Sequence, residues 1–115
     1  MSTTIYHNPR CSKSRQTLQL LQDNEIEPVV VEYLKTPPSA AKLAQILTLL
    51  DIEPRDLMRQ KETVYKENNL NDPALSRTDL IAAMIEHPIL IERPIVTTNG
   101  KAAVGRPPAN VLDII

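Results

Sequence analysis

Pro94-Ile95-Val96-Thr97-Thr98-Asn99-Gly100-Lys101-Ala102-Ala103-Val104 is the stretch that decides the fold. Two short β-prone runs flank an Asn-Gly pair, which takes the positive φ values of a type I′ turn at little cost. The spacing predicts an antiparallel hairpin. Pro107-Pro108 ends it, and Ala109 to Ile115 has room for one or two closing helical turns. Upstream the period changes. Ser76-Arg77-Thr78-Asp79 has the form of a capping box with Asp in place of Glu. It opens a helix carrying Leu80, Ile81, Met84 and Ile85, which His87-Pro88 ends. Asp51 to Leu75 is polar, contains Pro54 and Pro73, and reads as short helical turns. Ser39 is a good N-cap for a helix to about Leu50, with Ala40, Leu43, Ile46, Leu47 and Leu50 as its apolar stripe.

The first third of the chain supplies the partner of the hairpin. Thr3 to His7 has the β-branched, half-apolar character of a short strand, broken by Asn8-Pro9. Ser12 to Asn24 reads as a helix, with Thr17, Leu18 and Leu21 at helical spacing. Pro28 opens a second strand, Val29 to Leu34, whose nearly continuous apolar run predicts burial on both faces, as in a parallel pair. The order is therefore βαβ, then helices, then ββ. That is the thioredoxin order. The expected fold class is α/β, with a thioredoxin-like mixed sheet. One domain spans residues 1–115, with a helical insertion at about 39–87.

Composition excludes several classes of function. Thirteen basic and fourteen acidic side chains leave a formal net charge of −1, with no block of one sign, which argues against nucleic acid as a partner. Three tyrosines are the only aromatic residues, so no base-stacking platform exists. No apolar run approaches the roughly 20 residues that span a bilayer. MSTTIYHNP has neither a basic nor an apolar leader region, and one cysteine forms no internal disulfide. The expectation is a cytoplasmic monomer.

The densest chemistry lies in His7-Asn8-Pro9-Arg10-Cys11-Ser12-Lys13-Ser14-Arg15, between the first strand and the first helix. A cysteine at a helix start meets unpaired N–H groups and the positive end of the helix dipole. Both favour the thiolate, and Arg10, Lys13 and Arg15 lie nearby. The same N–H groups suit a tetrahedral oxyanion beside the sulfur. A lone cysteine is elsewhere usually a small buried apolar side chain; the polar neighbours here favour a reactive thiol. Arg15 reads equally well as a solvated arginine on the helix.

Spacing separates the competing cysteine chemistries. A phosphatase-type C-x5-R loop needs arginine where Thr17 stands, and a C-x-x-C dithiol needs cysteine where Ser14 stands. His7 and His87 are too far apart in sequence to suggest a metal site with Cys11. A monothiol C-x-x-S site remains.

The chain strongly resembles the glutaredoxin-linked arsenate reductases over essentially all 115 residues. The resemblance is carried by Tyr6-His7-Asn8-Pro9, Cys11, Ser14-Arg15-Gln16-Thr17-Leu18 and Asp56-Leu57-Met58-Arg59. The specific block is His87-Pro88-Ile89-Leu90-Ile91-Glu92-Arg93-Pro94-Ile95-Val96, completed by Gly105-Arg106-Pro107 and Val111-Leu112-Asp113-Ile114. It implies that Cys11 is the arsenate nucleophile and that Arg59, Arg93 and Arg106 hold the oxyanion. Planar guanidinium forks match such oxygens. Each arginine by itself reads as surface charge. Arg93-Pro94 resembles the cis-proline junction that faces the cysteine in this fold.

Further roles follow from the resemblance. The histidine at position 7 is implied to favour the thiolate, although by itself it reads equally as the end of a strand. Ser14 is placed to donate to the thiolate or simply to support the first helical turn. Arg15 counts with Cys11, His7 and Ser14 among the implied catalytic residues. No metal or bound cofactor is implied; glutathione is the co-substrate and a glutaredoxin the protein partner. Two features depart from the family pattern. Ser12-Lys13 stands where Gly-Thr is frequent, and the chain ends at Ile115 where many members continue. Two other readings stay open. One is a glutathione-dependent oxidoreductase with another substrate; the other is an RNA-polymerase-binding redox regulator of the same fold, which would ordinarily carry C-x-x-C.

Overall fold

The computed structural model describes residues 2–115. It divides into two compact units, one made of the chain up to Thr36 together with Arg93–Ile115, the other of Pro37–Glu92.

The first unit is built on a four-stranded mixed sheet in the order β2-β1-β3-β4. Strand β1 is Thr4–Tyr6, β2 Val29–Val31, β3 Ile95–Thr98 and β4 Lys101–Val104. β1 pairs in parallel with β2, Ile5 opposite Val30, and antiparallel with β3, Ile5 opposite Val96. The β3–β4 hairpin turns on Asn99 and Gly100, at φ 54° and 71°, the conformation expected of the Asn-Gly pair. Helix α1, Ser12–Asp23, follows β1 as read from its apolar spacing. Leu21 of α1 joins Ile5, Val96 and Val111 in a fully buried cluster, with Leu18, Ile26 and Ala103 packed against it. Val111 lies in the closing 3₁₀ turns, Pro108–Asp113. Thr3 donates to Thr98 at 2.8 Å inside the sheet, pairing two buried hydroxyls.

One expectation for this unit is corrected. The second strand is short and stands at the sheet edge, with Val29 and Val30 exposed by 56% and 45%. It is not covered on both faces. Valine triplets favour extended backbone through their β-branching whether or not they are buried, so the apolar run carried no information about cover. Beyond Val31 the chain turns, and the N–H groups of Lys35 and Thr36 donate to the Glu32 carbonyl.

The second unit is helical. Helix α2 spans Ala40–Leu50, α3 Thr63–Glu67 and α4 Arg77–Glu86, with 3₁₀ turns at Pro54–Leu57 and Pro88–Leu90. Ser39 caps α2 by accepting from the Lys42 N–H at 3.1 Å. Ser76 and Asp79 form the reciprocal capping box of α4, at 3.1 and 3.0 Å. Leu43, Ile46 and Leu47 of α2 and Leu80, Ile81 and Met84 of α4 are buried. Met58 bridges Ile91 in an isolated β-pair, and the neighbouring Arg59 N–H donates to the Leu90 carbonyl at 2.7 Å. Among the described residues no helix is long and apolar enough to cross a membrane.

Candidate active site

Cys11 is the N-cap of α1, in extended backbone at φ −92° and ψ 124°. The break at Asn8-Pro9 lifts the chain off β1, and a turn closes when the Cys11 N–H donates to the Asn8 carbonyl at 3.0 Å. The Asn8 side chain accepts from the Arg10 N–H at 3.0 Å, stiffening the same turn. The helix then begins, with the Arg15 N–H donating to the Cys11 carbonyl at 3.0 Å. Its first turn contains no acidic residue, and no side chain caps it. The positive end of α1 is therefore not neutralised locally, and the half-buried thiol stands at it.

Ser14 and His7 form a buried pair beneath this turn. Ser14 Oγ accepts from the Asn8 N–H at 3.0 Å and lies 2.6 Å from His7 Nδ1. The hydroxyl donates when Nδ1 is bare and accepts when Nδ1 carries the proton. Burial holds the His7 imidazole below its usual value of 6.5; the charge of Glu32 opposes this and that of Arg15 reinforces it. At neutral pH His7 is thus an uncharged hydrogen-bonding partner of Ser14. The Arg15 guanidinium turns back and donates to the Pro9 carbonyl at 2.8 Å, bracing the loop in front of the cysteine.

From the hairpin come two arginines. Arg106, just after β4, directs Nη1 at Cys11 Sγ, 3.9 Å away, and the same nitrogen donates to the Arg93 carbonyl at 3.3 Å. Arg93-Pro94 and Arg106-Pro107 are both cis peptides. Gly105 ties these segments together. Its N–H donates to the Pro94 carbonyl at 2.9 Å, and a Cβ placed on it would come within 2.5 Å of Thr17 Oγ1 and 2.9 Å of Pro94 Cγ. Thr17 donates to the Lys13 carbonyl at 2.8 Å and lies 3.4 Å from the Gly105 carbonyl.

The structure thus brings together Cys11, Arg106 and the Arg93 backbone, and pairs His7 with Ser14. Arg59 lies in the helical unit, half-buried, with its backbone fixed to Leu90. Sequence reasoning passed over Thr17 and Gly105 as site-building residues. The available signal was that Gly105 is one of only two glycines and directly precedes Arg106. Among the described residues no three His, Cys, Asp or Glu side chains are grouped to hold a metal ion.

A thioredoxin-like sheet with one cysteine at a helix start, faced by an arginine, defines a class of single-thiol α/β proteins. Residues 6–114 match the ArsC family, and the chain belongs to it. It is 59% identical over 112 residues to the uncharacterized protein YfgD of Escherichia coli (strain K12), covering 96% of this chain and 94% of that one. An arsenate reductase of Neisseria meningitidis (strain MC58) is 50% identical over 108 residues, covering 93% and 92%. The solved arsenate reductase from Vibrio cholerae superposes with a TM-score of 0.97 at 55% identity, covering 100% of this chain and 98% of that one.

Proposed function

We propose that the protein reduces arsenate to arsenite, with Cys11 as nucleophile and glutathione and a glutaredoxin as the source of electrons. The observation that carries this reading is the 3.9 Å approach of Arg106 Nη1 to Cys11 Sγ at the start of α1. A cation and a set of helix N–H groups there can hold a tetrahedral oxyanion against the sulfur. The arsenate reductases among its relatives support arsenate as the substrate.

Cys11 thiolate attacks arsenic, forming an S–As bond and displacing water or hydroxide, with arsenic still pentavalent. Glutathione thiolate then attacks Cys11 Sγ. A sulfur–sulfur bond forms, the S–As bond breaks, and its electron pair stays on arsenic, which becomes trivalent and leaves as arsenite. A glutaredoxin thiolate takes the glutathione from Cys11 and regenerates the thiolate. Arg93 and Arg106 neutralise the oxyanion. On the family resemblance Arg59 is proposed as a third oxyanion ligand. His7 acts through Ser14, and Arg15 holds the loop. All 115 residues form one functional domain with residues 39–87 as an insertion. The protein works as a monomer in the cytoplasm, where the glutathione pool is reducing.

Steady-state consumption of reduced glutathione tests the proposal, measured with arsenate and glutaredoxin present and each omitted in turn. Turnover should require both arsenate and glutaredoxin. Disulfide exchange of similar rate without arsenate would instead assign the site to another glutathione-dependent substrate.

A further inference from the structure

Beside the cysteine loop lies a cavity of about 420 Å³ that the chemistry above leaves unused. Residues 7–10 form one wall, and Glu32, Leu34 and Lys35 the other. Its volume falls in the range of pockets that hold a small organic molecule, roughly 300–1,000 Å³. The first wall runs directly into the Cys11 backbone, because Arg10 precedes Cys11 in the chain and the Cys11 N–H is tied to the Asn8 carbonyl.

The charges on the cavity are specific in number and sign. Arg10 and Lys35 are cations, and Glu32 is a carboxylate. Glu32 and Lys35 approach each other at 3.6 Å, the lysine side chain 78% and the glutamate 44% exposed. Such a pair is worth little, so both groups are free to exchange partners. Between them Leu34, 43% exposed, and Pro9 offer apolar surface.

We propose that this cavity is the docking site of the second thiol, a γ-linked tripeptide of the glutathione type; the inference rests on the reading that an external thiol attacks Cys11. Such a tripeptide carries two carboxylates and one ammonium, the complement of two cations and one carboxylate. Extended, it spans about 10 Å, with its sulfur on the central residue between the charged ends. Topology adds a second argument. In the sheet order β2-β1-β3-β4 the cavity lies where the chain leaves β1 and β2. Arg93 and Arg106 stand instead at the ends of β3 and β4. The reductant therefore comes from the β2 side of Cys11 and the oxyanion from the β3 side. Displacement at sulfur requires that arrangement, since the incoming sulfur must enter opposite the departing arsenic. The sulfur–sulfur bond forms on one side of Sγ while the S–As bond breaks on the other, its pair going to arsenic.

The test is a titration of the full ¹⁵N-labelled chain with S-methylglutathione, which binds but forms no disulfide, in the absence of arsenate. Saturable shifts should concentrate at the amides of Asn8, Arg10, Leu34 and Lys35. Lys35→Glu and Arg10→Glu should each weaken the binding about tenfold, as loss of a charge-assisted contact would, with the remaining spectrum showing the fold intact. No shift at millimolar probe, or shifts centred on Arg93 and Arg106, would overturn the assignment. If wild-type protein reduces arsenate with glutathione while the cavity amides stay still, the cavity is wrong and the function stands. Shifts at the cavity without arsenate turnover would support the site and remove the proposed substrate.

Discussion

Gly105 lies against Thr17 so closely that a single methyl group has no room between them: a Cβ on Gly105 would stand 2.5 Å from Thr17 Oγ1 and 3.0 Å from Thr17 Cγ2. This contact fastens the segment bearing Arg106 to the helix that begins at Cys11. Its consequence is a defined distance between cation and thiol, 3.9 Å from Nη1 to Sγ.

Gly105→Ala should therefore do two things. Overpacking should cost about 1–3 kcal/mol of stability, read as a lower urea midpoint. Arg106 should be displaced, so that arsenate protects Cys11 from iodoacetamide less well. Thr17→Ala removes the two Thr17 atoms but leaves Pro94 Cγ at 2.9 Å, so the double variant should regain part of the protection and not all of it. If Gly105→Ala keeps full stability and full protection, the contact does not set the arginine's position.

Arg106 itself can be separated from simple positive charge. Arg106→Ala should abolish arsenate protection of Cys11, and Arg106→Lys should restore little of it. The reason is geometric. A guanidinium can donate to the oxyanion and to the Arg93 carbonyl together, whereas an ammonium is a point charge on a flexible stem. Protection by Arg106→Lys equal to wild type would show that charge alone suffices.

Much of this was legible in the sequence. Asn99-Gly100 specified the hairpin because few residue pairs adopt two consecutive positive φ values, and Ser39 and Ser76 marked helix starts through local hydrogen bonds. Such signals depend on neighbours in the chain. The edge position of Val29–Val31 was not legible, because β-branched side chains favour extended backbone at an edge as they do in a covered strand. Nor does any local pattern bring Arg106 to Cys11 across 95 residues; family resemblance supplied what spacing could not. Thr17 looked like one more position on the inner face of α1. A helical period says which way a side chain faces, not that a glycine backbone will meet it.

The buried His7–Ser14 pair predicts a pH dependence of stability. His7 has its folded-state value lowered, chiefly by burial, so the unfolded chain binds its proton more readily. Stability should be flat in this respect above about pH 6.5 and should fall as pH drops below it. In His7→Gln this component disappears. The stability difference between wild type and variant, from urea unfolding, should be constant above that pH and shrink below it. A difference growing toward acid pH would mean that the folded state prefers charged His7.

Ser14→Ala leaves the buried His7 Nδ1 and the Asn8 N–H without their shared partner. A cost of about 1–3 kcal/mol should follow. Hydrogen exchange at the Asn8 amide should accelerate more than at amides in the β3–β4 hairpin. Uniform acceleration across the first unit would instead indicate a general loss of stability.

Counting electrons gives the last prediction. Reduction of arsenate takes two electrons, which two thiols supply when they join in one disulfide. This chain has a single cysteine, and the residue three positions on is Ser14, buried against His7 and carrying no sulfur. The second sulfur must come from another molecule. With arsenate and glutathione but no glutaredoxin, the reaction should stop after one turnover, and intact mass should show one glutathione per chain, removable by reductant. Adding glutaredoxin should release it and restart turnover, because a low-pKa thiolate exchanges readily with such a mixed disulfide. Ser14→Cys should place a second thiol one helical turn from the first, and it should lessen the need for glutaredoxin by closing an internal disulfide. Repeated turnover of the wild-type chain with a thioredoxin system and no glutathione would contradict the scheme, since no mixed disulfide with glutathione could then lie on the path.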